Sequence, residues 1–506
     1  MSRSSVGTLM AIAFLLVPHP APAQNPPLAG LDAYVERVLR DWQAPGIAVA
    51  VVKDDSVVLE RGYGMRQVGG REPVDAQTLF AIASTTKAFT AAALAMLVDE
   101  GRLHWDDRVA DVLPGFQLSD PYASREMRVR DLLSHRSGLP RGDALWYASP
   151  FDRAEVLRRV RLLEPASSFR SAYGYQNIMF LAAGELVQAV TDTSWDEFLR
   201  TRIFEPLGMQ RTRTSVRGLE AVGNLATPHG RIEGAVTPVA WRNFDNVGGA
   251  GSIVSSVHDM AQWLRLQLGE GDYRGRRLLS DSAIREMRTA QTAIRTGLDD
   301  ERVFPDTHLR AYGLGWFLED YRGRLMVRHS GSLDGMRTHV VLLPEEDLGV
   351  VVMTNLAESR VPQAVAWYVV DQFLAPGDRD WSAVLLEEAR RDRERADSAE
   401  RRLETERLHG TEPTHPLAEL AGRYESAVYG AALVDLRDGT LRLSVGPSYV
   451  GTLDHWHLNT FRATWDDRYL GRDFVSFDLD RMGRVAALDV AGFGPFRRVR
   501  PGEVAP

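Results

Sequence analysis

The 506-residue chain contains no cysteine. That excludes disulfides, a thiol nucleophile, thiolate-held metal and a lipid-modified N-terminal cysteine. Lysine is almost as scarce: lysine and arginine together number 60, yet only Lys53 and Lys87 are lysines. Beyond the first two dozen residues no run is long and uncharged enough to cross a bilayer, which takes about 20 apolar residues. A concentrated basic patch is missing too, and with a formal charge of −8 there is no electrostatic case for nucleic acid as a partner. The 44% hydrophobic and 25% charged content is that of a soluble globular protein, long enough for roughly two to four domains.

The scarce lysines invite a closer look. Lys53 precedes Asp54-Asp55 in a predicted exposed hairpin turn. Lys87 follows Ser84 by three residues inside an apolar, alanine-rich run. A guanidinium keeps its proton in any protein, whereas a desolvated ammonium can lose it and act as a base. If Ser84 opens a helix, Lys87 lies on the same face within reach of the hydroxyl. The helix start adds a positive dipole and free N–H groups, which favour an oxyanion and a neutral amine. The bland alternative is a serine N-cap followed by a surface lysine.

Periodicity sketches the organisation. Met1 to Ala23 has a basic start at Arg3, an apolar core from Gly7 to Val17 and small residues at Ala21-Pro22-Ala23. This predicts a secretory signal, a periplasmic or secreted protein, and no stable membrane span after cleavage. Leu31 to Trp42 reads as an amphipathic helix, Ile47 to Val52 and Ser56 to Glu60 as a strand pair, and Ala81 to Glu100 as a buried central helix. Helices and loops are expected from about 105 to 290. Strands return at Arg324 to His329, Arg337 to Leu343 and Leu348 to Thr354, and Glu358 to Leu374 closes as a helix. The expected class is α+β: one antiparallel sheet of about five strands, flanked by helices, with a helical lobe beside it. Residues 376 to 416 read as a charged helical linker, and 417 to 506 as a small β-barrel or sandwich.

Two further patterns carry candidate chemistry. Tyr175 and Asn177 sit two apart on a tight loop before an apolar helix, where a phenol can move a proton and an amide can orient an amine or carbonyl. His329-Ser330-Gly331-Ser332 ends a predicted strand, where Gly331 would admit the backbone of a substrate. His455 and His457 share a strand face without a third ligand, so no metal is assigned.

Together, Ser84-x-x-Lys87, Tyr175-x-Asn177 and His329-x-Gly331 resemble the motifs of penicillin-recognising serine hydrolases. The nearest likeness is to class C β-lactamases and related D,D-peptidases, D-aminopeptidases and carboxylesterases. Asp131 to Pro140, Gly248 to Gly251 and Tyr312 to Trp316 fit the same pattern, and the resemblance spans about residues 30 to 375. The tail looks like a lipocalin-like β-barrel found in some members. The resemblance implies Ser84 as nucleophile, Lys87 as its proton partner, Tyr175 as base or acid assisted by Asn177, and an oxyanion hole from the Ser84 and Ser332 N–H groups. It implies no cofactor and a small peptide, amide or ester as substrate, with assembly through the barrel as a further expectation. The third motif departs from true β-lactamases, which often carry lysine where His329 stands. Its grip on a substrate carboxylate would be weaker and pH-dependent, with Arg328 or Arg337 as candidate substitutes. Peptidase or esterase activity is therefore favoured over efficient β-lactamase activity. A receptor that acylates and deacylates slowly, or binds cell-wall peptide, is the alternative.

Overall fold

The computed structural model describes residues 27–375, 377 and 379–500. The expected signal segment, Met1 to Ala23, lies outside them. Helix α1 (Leu31–Trp42) buries Leu31, Tyr34, Val35, Val38 and Trp42, a single stripe at helical spacing. Strands β1 (Gly46–Lys53) and β2 (Ser56–Gly64) follow, joined by Asp54 and Asp55. Both aspartates have φ near +50°, the primed turn whose twist suits a two-residue hairpin.

The main sheet has eight strands rather than about five. After β2 come β3 (Thr292–Ile294), β4 (Arg310–Tyr312), β5 (Phe317–Tyr321), β6 (Arg324–Leu333), β7 (Met336–Leu343) and β8 (Leu348–Thr354). The spatial order is β2-β1-β8-β7-β6-β5-β4-β3, with every pairing antiparallel. The three additional strands are three to five residues long, too short for a period of two to show in sequence.

Strand β1 is apolar along nearly its whole length because both its faces are covered. Ile47, Val49 and Val51 pack with α1 and with Val361–Leu374, while Ala48, Ala50 and Val52 join the core of the helical lobe. That lobe is centred on α2 (Thr86–Asp99) and α3 (Ile178–Thr191), whose buried residues run round most of each helix. The predicted start of α2 at Ala81 is corrected. Phe80–Ala81 pairs with Val254–Ser255 as a short ribbon, and Ala83–Thr85 forms a 3-10 turn before the helix. The closing helix likewise begins at Val361, with Pro362 in its first turn.

A helix from Trp381 to Glu406 leads into a closed barrel of eight antiparallel strands, from Gly422–Ser426 to Gly494–Arg498. Its interior is filled by side chains such as Phe461, Trp465, Phe477 and Phe496.

Candidate active site

Ser84 lies in the turn just before α2. Ala83 enters that turn with φ +50°, a left-handed conformation that costs a residue with a Cβ about 1 kcal/mol. From the other side β6 presses on the turn: a Cβ on Gly331 would stand 2.2 Å from the carbonyl oxygen of Ile82. Gly331 thus admits the chain's own backbone beside Ser84, where the sequence had suggested the backbone of a substrate.

Lys87, one turn into α2, is fully buried. Its Nζ donates to Asn177 Oδ1 at 2.8 Å and Ala250 O at 2.9 Å, and lies 3.0 Å from Ser84 Oγ. Burial drives its pKa well below the ordinary lysine range; the attraction of Asp143 opposes this and the charge of Arg141 adds to it. A neutral amine has two N–H groups and one lone pair. Here two carbonyl oxygens take the N–H groups, which leaves the lone pair for the proton of Ser84.

Tyr175 reaches the same point from the loop before α3. Half-buried, it lines the cleft together with Ser84, Asn177 and His329. Desolvation by the surrounding protein raises its pKa above the ordinary phenol range, outweighing the lowering effects of the nearby Ser84 hydroxyl and of Arg141. The loop rests on His135, which follows the short helix Val129–Leu132. The His135 ring packs 4.2 Å from that of Tyr175, and its Nδ1 accepts the Gln176 N–H at 3.1 Å. Burial holds His135 neutral by pushing its pKa well down.

The structure corrects the expected behaviour of His329. Its Nδ1 donates to Ser330 O at 2.7 Å, so its Nε2 accepts from the Tyr312 hydroxyl at 2.9 Å. Burial lowers its pKa to about 3. The ring is neutral throughout the ordinary pH range and offers no pH-dependent cation. Neither suggested substitute fills the gap. Arg328 is engaged by Glu319, 2.8 Å from Nε to Oε2, and Arg337 lies beside Tyr469 and Glu358.

Two residues that sequence reasoning missed organise the opposite wall. Asp143 accepts from Asn177 Nδ2 at 3.2 Å and Trp146 Nε1 at 3.0 Å through one oxygen, and from Arg141 Nε at 2.6 Å through the other. The only sequence signal was a Pro/Gly-punctuated loop, Pro140-Arg141-Gly142-Asp143, a pattern common to many turns. The cleft so formed measures about 280 Å³ and is lined by Ser84, Tyr175, Asn177, His329 and Ser332, with Trp146, Phe244 and Phe317 as apolar walls. Among the described residues no three His, Asp or Glu gather into a metal-binding group. The site is a desolvated hydroxyl–amine–phenol constellation suited to proton transfer during attack on a carbonyl.

Known proteins resemble this chain in sequence and in fold. The β-lactamase family model matches residues 31–375. A domain of unknown function, DUF3471, matches residues 406–500. The unguisins hydrolase ungD' of Aspergillus campestris (strain IBT 28561) is 30% identical over 413 residues, covering 78% of this chain and 75% of that protein. Among solved structures, the octameric penicillin-binding protein homologue from Pyrococcus abyssi superposes with a TM-score of 0.63 at 22% identity, over 93% of this chain and 99% of that one. The D-amino acid amidase from Ochrobactrum anthropi SV3 gives 0.55 at 23% identity, over 68% of this chain and 98% of that one. At such identities the two structures speak to the fold.

Proposed function

We infer that this chain, which belongs to the β-lactamase family, hydrolyses amide or ester bonds through an acyl-enzyme on Ser84. The observation that carries the reading is the environment of Lys87: a buried amine 3.0 Å from the Ser84 hydroxyl, with both remaining donors occupied. Lys87 accepts the Ser84 proton as Oγ bonds to the substrate carbonyl carbon. Tyr175, whose pKa is raised, gives its proton to the leaving nitrogen or oxygen as that bond breaks. The proton held by Lys87 then restores the phenol. Water attacks the acyl-enzyme, releases the acid and returns the proton to Ser84. Ser84 and Ser332 both line the cleft, and in this reading their N–H groups receive the negative charge on the carbonyl oxygen.

The neutrality of His329 favours peptide, amide and ester substrates, since the wall where a β-lactam carboxylate would be held has no cation there. Export rests on the Met1 to Ala23 pattern, and the N-terminal sequence of the mature protein checks it. For the chemistry, a panel of short esters and amides is assayed with wild type and Ser84→Ala. The variant should lose at least about a thousandfold in kcat/KM while melting at an unchanged temperature. Retained turnover refutes the reading. Intact mass after incubation with a penicillin adds a second outcome: a lasting adduct would favour a slowly deacylating receptor over a hydrolase.

A further inference from the structure

The cleft contains one arginine, and beyond its charge helping to keep Lys87 neutral the proposed chemistry gives its guanidinium no bond to make. Of the side chains lining the cleft, only Arg141 is a lysine or arginine. It is held in place from two directions. Its Nε donates to Asp143 Oδ2 at 2.6 Å, and its guanidinium carbon lies 5.2 Å from the centre of the Tyr175 ring. Asp143 is itself held, because its other oxygen accepts from Asn177 Nδ2 and Trp146 Nε1. Among the described residues nothing accepts a hydrogen bond from Nη1 or Nη2 of Arg141, and the side chain is 59% exposed. A planar fork is thus fixed at one corner while its two outer nitrogens open to solute. That is the donor geometry a carboxylate accepts bidentately.

We propose that Arg141 is an anion anchor that receives a carboxylate carried on the leaving-group side of the scissile bond. The side follows from the stacking: Arg141 lies over the ring whose hydroxyl, in the reading above, protonates the leaving group. The inference rests on that reading for which bond is cut, but not for the binding itself. It also moves substrate carboxylate recognition from the His329 strand to the facing wall. Asp143 balances the charge of Arg141, so the grip depends on paired N–H donors more than on a general field.

Two esters of N-benzoylglycine test it, one with glycolic acid and one with glycolamide. They share the scissile bond and differ only in a carboxylate against a carboxamide on the leaving group. Wild type should favour the carboxylate ester in kcat/KM by at least about tenfold, and Arg141→Gln should bring the ratio close to one. Arg141→Lys should recover only part of it, because an ammonium cannot present the fork. A ratio near one in wild type, or one unchanged by Arg141→Gln, overturns the proposal. Calorimetry on Ser84→Ala and Ser84→Ala/Arg141→Gln with the same two esters separates it from the catalytic reading. Preference for the carboxylate ester lost with Arg141 supports the anchor, and preference retained without Arg141 sinks it. Hydrolysis by Ser84→Ala would count against the nucleophile alone, leaving the binding comparison to decide the anchor.

Discussion

Among the described residues, and setting tyrosine and tryptophan aside, every buried polar or charged side chain lies at or before Glu388, in the catalytic lobe or the first turns of the connecting helix. The lobe encloses Lys87, His135, Asn177, His329 and His339, whereas the barrel interior is aliphatic and aromatic. Both regions are well-filled cores, yet they differ in what burial does. In the barrel it excludes water from hydrocarbon, and an eight-stranded barrel filled in this way is a packed core rather than a ligand cup. In the lobe it shifts protonation, because a buried titratable group is costly in its charged form. The region that gives up stability to hold polar groups is where chemistry is to be sought.

The largest test of that contrast is Lys87→Arg. The substitution keeps a positive charge and enough length to reach Ser84, but a guanidinium does not release its proton. If the lobe buries an amine in order to keep it neutral, kcat/KM should fall at least about a thousandfold. Activity within about tenfold of wild type would mean that Lys87 acts only as a charge, and the base would have to be sought elsewhere.

Acid should also separate the two regions. Burial lowers His329 to about 3 and pushes His135 and His339 well below the ordinary range. Below about pH 6.5 the unfolded chain takes up protons that these native histidines refuse, so stability falls with falling pH. Each such histidine contributes a loss of up to about 1.4 kcal/mol per pH unit. The window runs from about 6.5 down to the native values, and the barrel buries no histidine. Hydrogen exchange measured by segment from pH 6.5 to 4.5, corrected for intrinsic rates, should show protection lost in the lobe first. Equal loss in both regions would contradict the assignment.

How much of this was legible follows from distance along the chain. Ser84 and Lys87 are three residues apart on one turn, so their meeting could be read directly, and the rarity of lysine marked the pair. The long apolar strands and both central helices announced themselves by period and length. Arg141 and Asp143 did not, because a charged Pro/Gly loop has no signature until folding sets it against Tyr175 and Asn177. The state of His329 depends on Tyr312, a neighbour only through the pairing of β4, β5 and β6. Arg328 and Arg337 were candidates by proximity in sequence; strand register and Glu319 removed them.

The smallest effect is expected where the two regions touch. Arg242 in the lobe forms an ion pair with Asp334 and donates to Asp467 of the barrel at 2.7 Å, while the Tyr147 hydroxyl donates to Asp334 at 2.8 Å. Asp334 and Arg242 are largely enclosed, whereas the Asp467 side chain is 40% exposed. Asp467→Ala therefore removes the solvent-facing arm and the cap it places on the Tyr469 N–H, and leaves the enclosed pair intact, for a cost of about 1 kcal/mol. If the barrel is a packed body fastened to the lobe, melting temperature should drop by a few degrees at most and kcat/KM should stay within about twofold. Because Leu333, next to Asp334, and Phe244, two residues from Arg242, line the cleft, the same variant also probes the opposite case. A change in KM above about fivefold without loss of stability would show that the barrel sets the shape of the site.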